Sequence, residues 1–196
     1  MKKIFLTLTI LILTFSTQIV ADTSNSIQRI YEGNQDAKVT IITYESFTCS
    51  HCADFHKNVY PQLKKEFIDA GLVKIEFRHF PLDMAALNAS KIAQCSNDGN
   101  SDILHFLFSN QKKWAIGETV ETANENLQKL LKDENISIDF EKCTNNKKIE
   151  DYVLNDRIEG VKKFKVNATP TIIINNKKFD KPLNYKNLKK SIEKLI

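Results

Sequence analysis

The feature that most constrains the fold of this 196-residue chain is a strand–helix–strand pattern in residues 38–80. Residues 38–44 form a β-branched run of strand length, and residues 72–80 alternate between apolar and polar side chains as a half-buried strand does. Between them, apolar residues recur at intervals of four, which predicts a helix over residues 49–68 with a kink at Pro61. These apolar residues are Phe55, Val59, Leu63 and Phe67. A strand, a helix and a strand in this order favour a βαβ unit with parallel strands.

The rest of the chain changes character twice. Helical periodicity replaces the strand patterns after residue 84, and strand patterns return near the C-terminal end. The predicted helices of the middle block cover residues 85–95, 103–114, 122–133 and 149–164. The predicted elements that follow are strands over 171–174 and 177–179 and a helix over 184–196. We therefore predict an α/β protein in which a helical insertion (84–161) separates a first part (22–83) from a second part (162–196).

The first 21 residues have the pattern of an export signal. Lys2 and Lys3 precede an apolar run over residues 4–15, and the small residue Ala21 stands at a suitable cleavage point. The apolar run is shorter than the ~20 residues that span a bilayer. The alternative is an uncleaved N-terminal anchor. The pattern predicts a signal peptide over residues 1–21 and export to a compartment where disulfides form.

The charge balance gives no argument for nucleic acid as a partner. The whole chain has a formal net charge of +4, and two of the positive charges are Lys2 and Lys3. Without them the charge falls to +2, whereas domains that bind nucleic acid are commonly strongly basic. Hydrophobic residues make up 42% of the chain and charged residues 27%, as in ordinary folded domains, which excludes a disordered polar chain.

The strongest chemical signal is Cys49-Ser50-His51-Cys52, which stands where the first predicted strand gives way to the helix. The free N–H groups and the positive dipole end of a helix N-terminus favour a thiolate at Cys49. A protonated or donating His51 would stabilise that anion further. Because the disulfide carries no such charge, this stabilisation would favour the reduced state and make the disulfide a stronger oxidant. Cys52, one helical turn further on, would be the resolving thiol.

A Cys-x-x-Cys motif alone leaves other interpretations open. The pair could form a structural disulfide or half of a zinc site, although a tetrahedral zinc ion needs more ligands. His56 could supply one, but the chain has no second Cys-x-x-Cys motif. Haem attachment requires His directly after the second Cys, and Ala53 stands there. The position between a strand and a helix favours a redox-active pair.

A second candidate element is Thr169-Pro170, which precedes the strand predicted over residues 171–174. Proline cannot donate a hydrogen bond to a strand ladder, and its peptide bond can be cis. A fixed turn here would expose the backbone of Thr169 to an extended substrate chain. The alternative is an ordinary proline at the entry to a strand.

Together these segments resemble the DsbA family of thiol:disulfide oxidoreductases. The resemblance rests on residues 39–44, 48–53, 55–56, 77–82 and 161–171. It covers most of the chain after residue 21 and is weak across the helical block. It implies a thioredoxin fold with an inserted helical domain, a cis peptide bond before Pro170 and an exported oxidant of newly secreted proteins. It also implies substrate binding by Ser50, Thr169 and Pro170, and re-oxidation by a quinone-linked membrane partner of the DsbB type.

Two positions depart from the family pattern. Ser50 stands where several members carry proline, so their redox potentials cannot be transferred to this chain. Thioredoxin-like proteins often bury an acid six residues before the first Cys, where it helps proton transfer from the resolving thiol, but this chain has Thr43 there. Glu45 lies two residues further on the same face of the strand and is a candidate substitute.

Cys95 and Cys143 both fall in the helical block, away from the Cys-x-x-Cys motif. If Cys49 and Cys52 form the redox pair, Cys95–Cys143 is the one remaining pairing. Some DsbA relatives similarly carry an extra Cys pair in this region. We expect a structural disulfide, and the alternatives are two buried free thiols or a second redox pair.

The sequence thus predicts an exported, monomeric thiol:disulfide oxidoreductase that donates the Cys49–Cys52 disulfide to thiol-containing proteins in the periplasm. No metal or organic cofactor is expected, because the electrons travel through sulfur. One alternative is a reductase or isomerase on the same fold, although residues 22–37 are too short for an isomerase's dimerisation region. A second alternative is a non-catalytic metal- or peptide-binding module. His79 and His105 are interpreted as isolated residues without a role.

Overall fold

A computed structural model describes residues 26–196 of the chain, so the signal peptide predicted over residues 1–21 lies outside the described residues. Five strands in this part form one mixed sheet in the order β1-β3-β2-β4-β5. The central strands β2 (Val39–Glu45) and β3 (Val73–His79) pair in parallel, which confirms the predicted βαβ unit. The sheet continues with β4 (Thr171–Ile174), which pairs antiparallel with β2, and with β5 (Lys177–Lys178), which pairs antiparallel with β4.

The outer strand β1 (Ile30–Glu32) was not predicted from the sequence. It pairs antiparallel with β3, with Ile30 opposite Phe77 and Glu32 opposite Ile75. Three residues are too few to show a strand period, and their extended backbone depends on the open edge that β3 offers. This strand nevertheless positions the Glu32 carboxylate close to the helices that follow.

The helix predicted over residues 49–68 is divided in the structure. It consists of α1 (Ser50–Asn58), α2 (Tyr60–Leu63) and a π-helical turn (Lys64–Ile68). Pro61 lies in the first turn of α2, where its missing N–H needs no helical partner. The break at Val59 therefore replaces the predicted kink, and all four apolar residues of the periodic face remain buried.

The block between β3 and β4 is helical, as predicted. Its elements are α3 (Met84–Gln94), α4 (Asp102–Ser109), α5 (Gln111–Trp114), α6 (Val120–Asp133), α7 (Phe140–Thr144) and α8 (Lys147–Phe164). The short helix α7 was not predicted, and the helix predicted over 103–114 is divided at Asn110. After the sheet, α9 (Tyr185–Ile192) packs against α2. No helix in residues 26–196 is both long and apolar enough to cross a membrane.

The insertion and the sheet share one hydrophobic core. A single cluster of buried side chains includes Ile41 and Ile75 from the sheet together with Trp114 and Leu127 from the insertion. Helix α8 also packs on β3, and the predicted end of the insertion at residue 161 falls inside this helix. The helical block is therefore held against the sheet by shared packing, which fixes its position relative to the Cys-x-x-Cys motif.

The closest approach between α8 and the sheet predicts a cost for Gly160→Ala. A Cβ at residue 160 would lie 2.7 Å from Cε1 and 2.9 Å from Cδ1 of the fully buried Tyr44 ring. Overpacking of this kind costs about 1–3 kcal/mol, and the higher helix propensity of alanine returns up to about 1 kcal/mol. We expect urea unfolding to show a net loss of about 1–2 kcal/mol, while Lys162→Ala on the exposed side of α8 changes little. An equally stable Gly160→Ala variant would contradict this packing.

Candidate active site

Cys49 is the N-cap residue of α1, with extended backbone angles, directly after the loop that leaves β2. The largest influence on its thiol is a hydrogen bond from Cys52, which lowers the pKa of Cys49. Partial burial opposes this change, and the Thr169 side chain and the backbone N–H groups of Cys52 and His51 reinforce it. The resulting pKa of Cys49 is about 5, well below the ordinary value of about 8.5. At neutral pH the Cys49 sulfur is therefore a thiolate.

Cys52 has the opposite electrostatic environment. Its side chain is fully buried, and burial is the largest cause of a strongly raised pKa. The hydrogen bond that Cys52 donates to Cys49 and the nearby charge of Glu45 raise the pKa of Cys52 further. The two free thiols of the motif therefore divide into an accessible anion and a buried neutral group.

The Thr169-Pro170 segment lies beside Cys49 in the folded chain, 120 residues away in sequence. Its peptide bond is cis, and the carbonyl oxygen of Thr169 lies 3.3 Å from the Cys49 sulfur. The Thr169 hydroxyl is buried and has no partner of ordinary hydrogen-bond geometry among residues 26–196, and its side chain lowers the pKa of Cys49.

Replacement of Thr169 by valine is expected to raise the pKa of Cys49 by about one unit. A hydrogen bond to a charged group contributes about 1.5 kcal/mol, and one pKa unit corresponds to about 1.4 kcal/mol. The rate of Cys49 alkylation as a function of pH measures the change. Thr171→Val is the matched control, because the Thr171 hydroxyl donates to the carbonyl of Ala168 and not to sulfur. A pKa that is the same in both variants would contradict a contribution from the Thr169 hydroxyl.

His51 and Ser50 are both exposed at the start of α1. The backbone N–H of His51 acts on Cys49, while its imidazole lines an open groove of about 900 Å³. Thr169, Pro170 and Tyr185 also line this groove, and Ser50 does not. Among the residues predicted to bind substrate, the structure thus brings Thr169 and Pro170 to the groove and leaves Ser50 outside it. An effect of the His51 imidazole on Cys49 stays a prediction.

Gln111, from helix α5 of the insertion, was not predicted to belong to the site. Its buried side-chain amide donates hydrogen bonds to the carbonyl oxygens of Phe47 at 2.7 Å and Cys49 at 3.0 Å. The insertion therefore holds the backbone of the loop that carries Cys49. The one available sequence signal was a polar residue at an interior position of an apolar helical pattern.

A row of four acidic and imidazole side chains lies behind Cys52. Glu45 Oε2 is 2.9 Å from His56 Nε2, and His56 Nδ1 is 3.2 Å from His105 Nδ1. His105 Nε2 lies 2.6 Å from Glu32 Oε1. The interpretation of His105 as isolated is therefore wrong, because strand β1 and helices α1 and α4 bring these groups together. The interpretation of His79 as isolated is also wrong, because its Nε2 lies 3.2 Å from Oε1 of Gln94.

The remaining cysteines lie in the insertion. A disulfide joins Cys95, at the end of α3, to Cys143 in α7, with the two Cα atoms 5.6 Å apart. Within residues 26–196, no group of three or more His, Cys, Asp and Glu side chains is arranged to hold a metal ion.

Comparisons with known proteins place this geometry in a family. The sequence model of the Thioredoxin family matches residues 25–194. The crystal structure of alpha-DsbA1 from Wolbachia pipientis is 31% identical, with a TM-score of 0.74, over 85% of this chain and 90% of that one. The oxidised BdbD structure from Bacillus subtilis is 25% identical, with a TM-score of 0.69, over 85% and 91% of the two chains.

Curated sequences give related matches. A putative protein-disulfide oxidoreductase of Rickettsia bellii is 29% identical over 147 residues, which is 73% of this chain and 55% of that protein. Disulfide bond formation protein D of Bacillus subtilis is 28% identical over 176 residues, or 83% of this chain and 74% of that protein. The chain thus spans little more than half the length of the Rickettsia bellii relative. With its α/β sheet, its inserted helical domain and these matches, the chain belongs to the thioredoxin family and, within it, to the DsbA-like proteins.

Proposed function

We propose that this protein is a thiol:disulfide oxidoreductase that donates the Cys49–Cys52 disulfide to thiol-containing protein substrates. The observation that carries the proposal is the contrast between the two thiols. The pKa of Cys49 is about 5, whereas burial strongly raises the pKa of Cys52. Because the low pKa of Cys49 stabilises the reduced form, the disulfide is expected to be a strong oxidant. The relatives' names, a putative protein-disulfide oxidoreductase and a disulfide bond formation protein, agree with this chemistry.

In the proposed reaction, a substrate thiolate attacks the Cys49 sulfur and breaks the Cys49–Cys52 bond. Cys52 leaves as a thiolate and takes up a proton, which its raised pKa favours. A second substrate thiolate then attacks the substrate sulfur of the mixed disulfide, and Cys49 leaves as a stable thiolate. Two electrons pass from the substrate dithiol to the cysteine pair, and the substrate gains a disulfide.

Re-oxidation runs through the same sulfur atoms. The Cys49 thiolate attacks a disulfide of the oxidising partner, and Cys52 then loses its proton and attacks Cys49 as the resolving thiol. The partner leaves reduced, with the two electrons. A quinone-linked membrane protein of the DsbB type is the proposed partner, and the export signal predicted over residues 1–21 supports a periplasmic location.

The open groove beside Cys49 is the proposed docking site for an extended substrate chain. Its walls combine the apolar side chains of Phe55, Pro170 and Leu183 with polar groups such as Asn184. An unfolded polypeptide fits these walls, because it can supply both apolar side chains and unpaired backbone groups. Thr169 and Pro170 would hold the substrate backbone next to the Cys49 sulfur.

Glu45 is the proposed acceptor and donor of the Cys52 proton. Its side chain is buried, it acts electrostatically on Cys52, and its Oε1 has no hydrogen-bond partner in the described part of the chain. We expect Glu45→Gln to slow disulfide closure by Cys52 about tenfold or more, since general acid–base catalysis contributes at least that much. Quenched-flow measurement of closure at several pH values tests this. Glu66→Gln, at an exposed carboxylate, is the control, and equal rates for both variants would contradict the assignment.

Two assays on the same preparation test the proposed function. The oxidised protein should promote refolding of a reduced, unfolded disulfide protein, and this activity should disappear in Cys49→Ala. The alternative, a reductase or isomerase, predicts insulin reduction or disulfide shuffling as the dominant activity. A Cys49–Cys52 equilibrium with glutathione as reducing as that of thioredoxin, about −270 mV, would overturn the oxidant assignment. Absence of any dithiol oxidation would favour a binding module instead.

A further inference from the structure

The depth of Cys52 raises the question of how its proton is exchanged, and the following inference rests on the proposed function. The Cys52 side chain is fully buried, so bulk water does not reach its sulfur directly. Each cycle of disulfide opening and closing nevertheless requires that Cys52 gains one proton and loses it again. An ionised carboxylate beside Cys52 has no proton of its own to give, so a further group must supply this proton and take it back.

The row of polar groups behind Cys52 runs without interruption toward the surface. The order is Glu45, His56, His105 and Glu32, with donor–acceptor distances of 2.9, 3.2 and 2.6 Å. The exposed fractions of the side chains are 4% for Glu45 and 5% for His56 at one end, but 25% for His105 and 15% for Glu32 at the other. The inner end of the row is therefore dry and the outer end meets solvent.

The three contacts of this row set how many protons it needs to form all its hydrogen bonds at once. With both carboxylates ionised, the three hydrogen bonds need three N–H groups, because carboxylates only accept. Two neutral imidazoles supply only two, so all three hydrogen bonds form at once only when the two rings share one additional proton. That proton occupies the Nδ1–Nδ1 contact between His56 and His105 and can belong to either ring. Its transfer from one ring to the other exchanges which imidazole is charged and leaves all three hydrogen bonds intact.

The Glu32 carboxylate at the outer end of the row favours a positive charge on the neighbouring imidazoles. At the outer end, burial would raise the pKa of Glu32, but hydrogen bonds from His105, Ser101 and Tyr60 outweigh it and lower that pKa to about 2. Glu32 therefore stays an anion beside His105, with Lys64 Nζ 3.8 Å from its other oxygen. Lys64 also pairs with Asp69.

At the inner end, the charges and rings around His56 fix its orientation. The Phe108 ring stacks on the imidazole, with ring centres 4.1 Å apart, and Phe77 covers a second side. Besides Glu45 and His105, the charged or titratable groups near this end are Cys52, Tyr60 and His79, all of which lie in electrostatic range of Glu45 or His56.

We propose that Glu45, His56, His105 and Glu32 form a proton relay that supplies the proton of the buried Cys52 sulfur and takes it back. On disulfide opening, Glu45 takes the Nε2 proton of His56 and passes it to the Cys52 thiolate, and the proton shared with His105 settles on His56 Nδ1, so the row holds one proton fewer. On closing, Cys52 returns its proton through Glu45 to His56 Nε2 before the sulfur attacks Cys49, and His56 and His105 again share a proton between their Nδ1 atoms. His56, His105 and Glu32 act on the sulfur atoms only through Glu45 in this scheme, so they are positioning and relay residues.

The test follows the reaction of the reduced His105→Ala protein, without the predicted signal peptide, with oxidised glutathione. The first step, attack by Cys49, is the internal control and should stay within about twofold of the wild-type rate. Closure of the mixed disulfide by Cys52 should be about tenfold slower or more, the usual contribution of a proton-transfer group. Added imidazoles should restore closure, because the lost side chain is partly exposed, and more basic imidazoles should restore it more strongly. His105→Gln, which keeps a hydrogen-bonding amide, should remain slow.

A structural role for His105 predicts different results. Phe106→Ala removes a ring from the next residue of α4 without touching the row, so its closure rate should stay near wild type and not respond to imidazole. Closure in both His105 variants within twofold of wild type would overturn the relay, as would imidazole rescue that is independent of basicity. If the wild-type protein fails to exchange with glutathione at all, the proposed function itself fails, and this outcome is distinct from fast exchange without dependence on His105.

Discussion

The Cys49 thiol of the reduced protein is expected to titrate with a pKa of about 5, and Cys52→Ala is expected to return this pKa several units toward the ordinary value of about 8.5. The reason is that the hydrogen bond from Cys52 is the largest single cause of the lowered pKa, ahead of the contributions from Thr169 and the backbone N–H groups. The N–H groups of α1 remain in the variant, so part of the depression should persist. Thiolate absorbance and the alkylation rate, each followed from pH 3 to pH 10, measure the shift.

The control for this titration is Cys49→Ala, which should show no thiolate transition near pH 5. The sign of the linked stability effect follows from the lowered pKa. In the reduced protein, the contribution of Cys49 to folding stability is fully present above the ordinary thiol pKa and is lost as the pH falls through about 5. The oxidised protein has no such titration. The difference in melting temperature between the reduced and the oxidised form should therefore change in the direction that disfavours the reduced form as the pH is lowered from about 8.5 to about 5. A Cys49 thiol that stays neutral up to pH 8 would contradict the entire scheme.

Loss of the Cys95–Cys143 disulfide is expected to lower the free energy of unfolding by about 4 kcal/mol. The bond closes a loop with a sequence separation of 48 residues, and the chain-entropy relation gives about this value for such a loop. It also ties α3 to α7, which was too short to show a helical signal in the sequence. Urea unfolding of the double variant Cys95→Ala, Cys143→Ala against the oxidised wild type provides the measurement.

The matched control for this measurement is Cys49→Ala, Cys52→Ala, which removes a disulfide that closes only a minimal loop. Its unfolding free energy should change far less, because short loops restrict the unfolded chain less. A loss below about 1 kcal/mol in the Cys95, Cys143 double variant would show that the loop contributes little to stability. Substrate oxidation should persist in that variant at temperatures where it remains folded.

Much of the fold could be predicted because its longer strands and helices follow local patterns of apolar and β-branched residues. The β-branched run over residues 38–44 and the alternating run over residues 72–80 each predict a strand, and the predicted bounds differ from the observed ones by a single residue at each end. The position of the motif at a helix N-terminus follows from the same patterns. Helix α7 and strand β1 were missed because they are too short to repeat a period.

The chemistry of the two sulfurs was only partly determined by the sequence. Cys-x-x-Cys between a strand and a helix is sufficient to predict a redox pair with an anionic first cysteine, since the helix N-terminus acts locally. The tertiary structure alone brought Thr169 to Cys49, Gln111 to the Cys49 carbonyl and His105 to His56, across sequence separations of 120, 62 and 49 residues. Such contacts leave no trace in local pattern, because each depends on how segments distant in sequence pack against one another. The sequence by itself indicated the Cys49 sulfur as the candidate reactive atom, because a helix N-terminus acts locally, and the packing of distant segments decided what surrounds it.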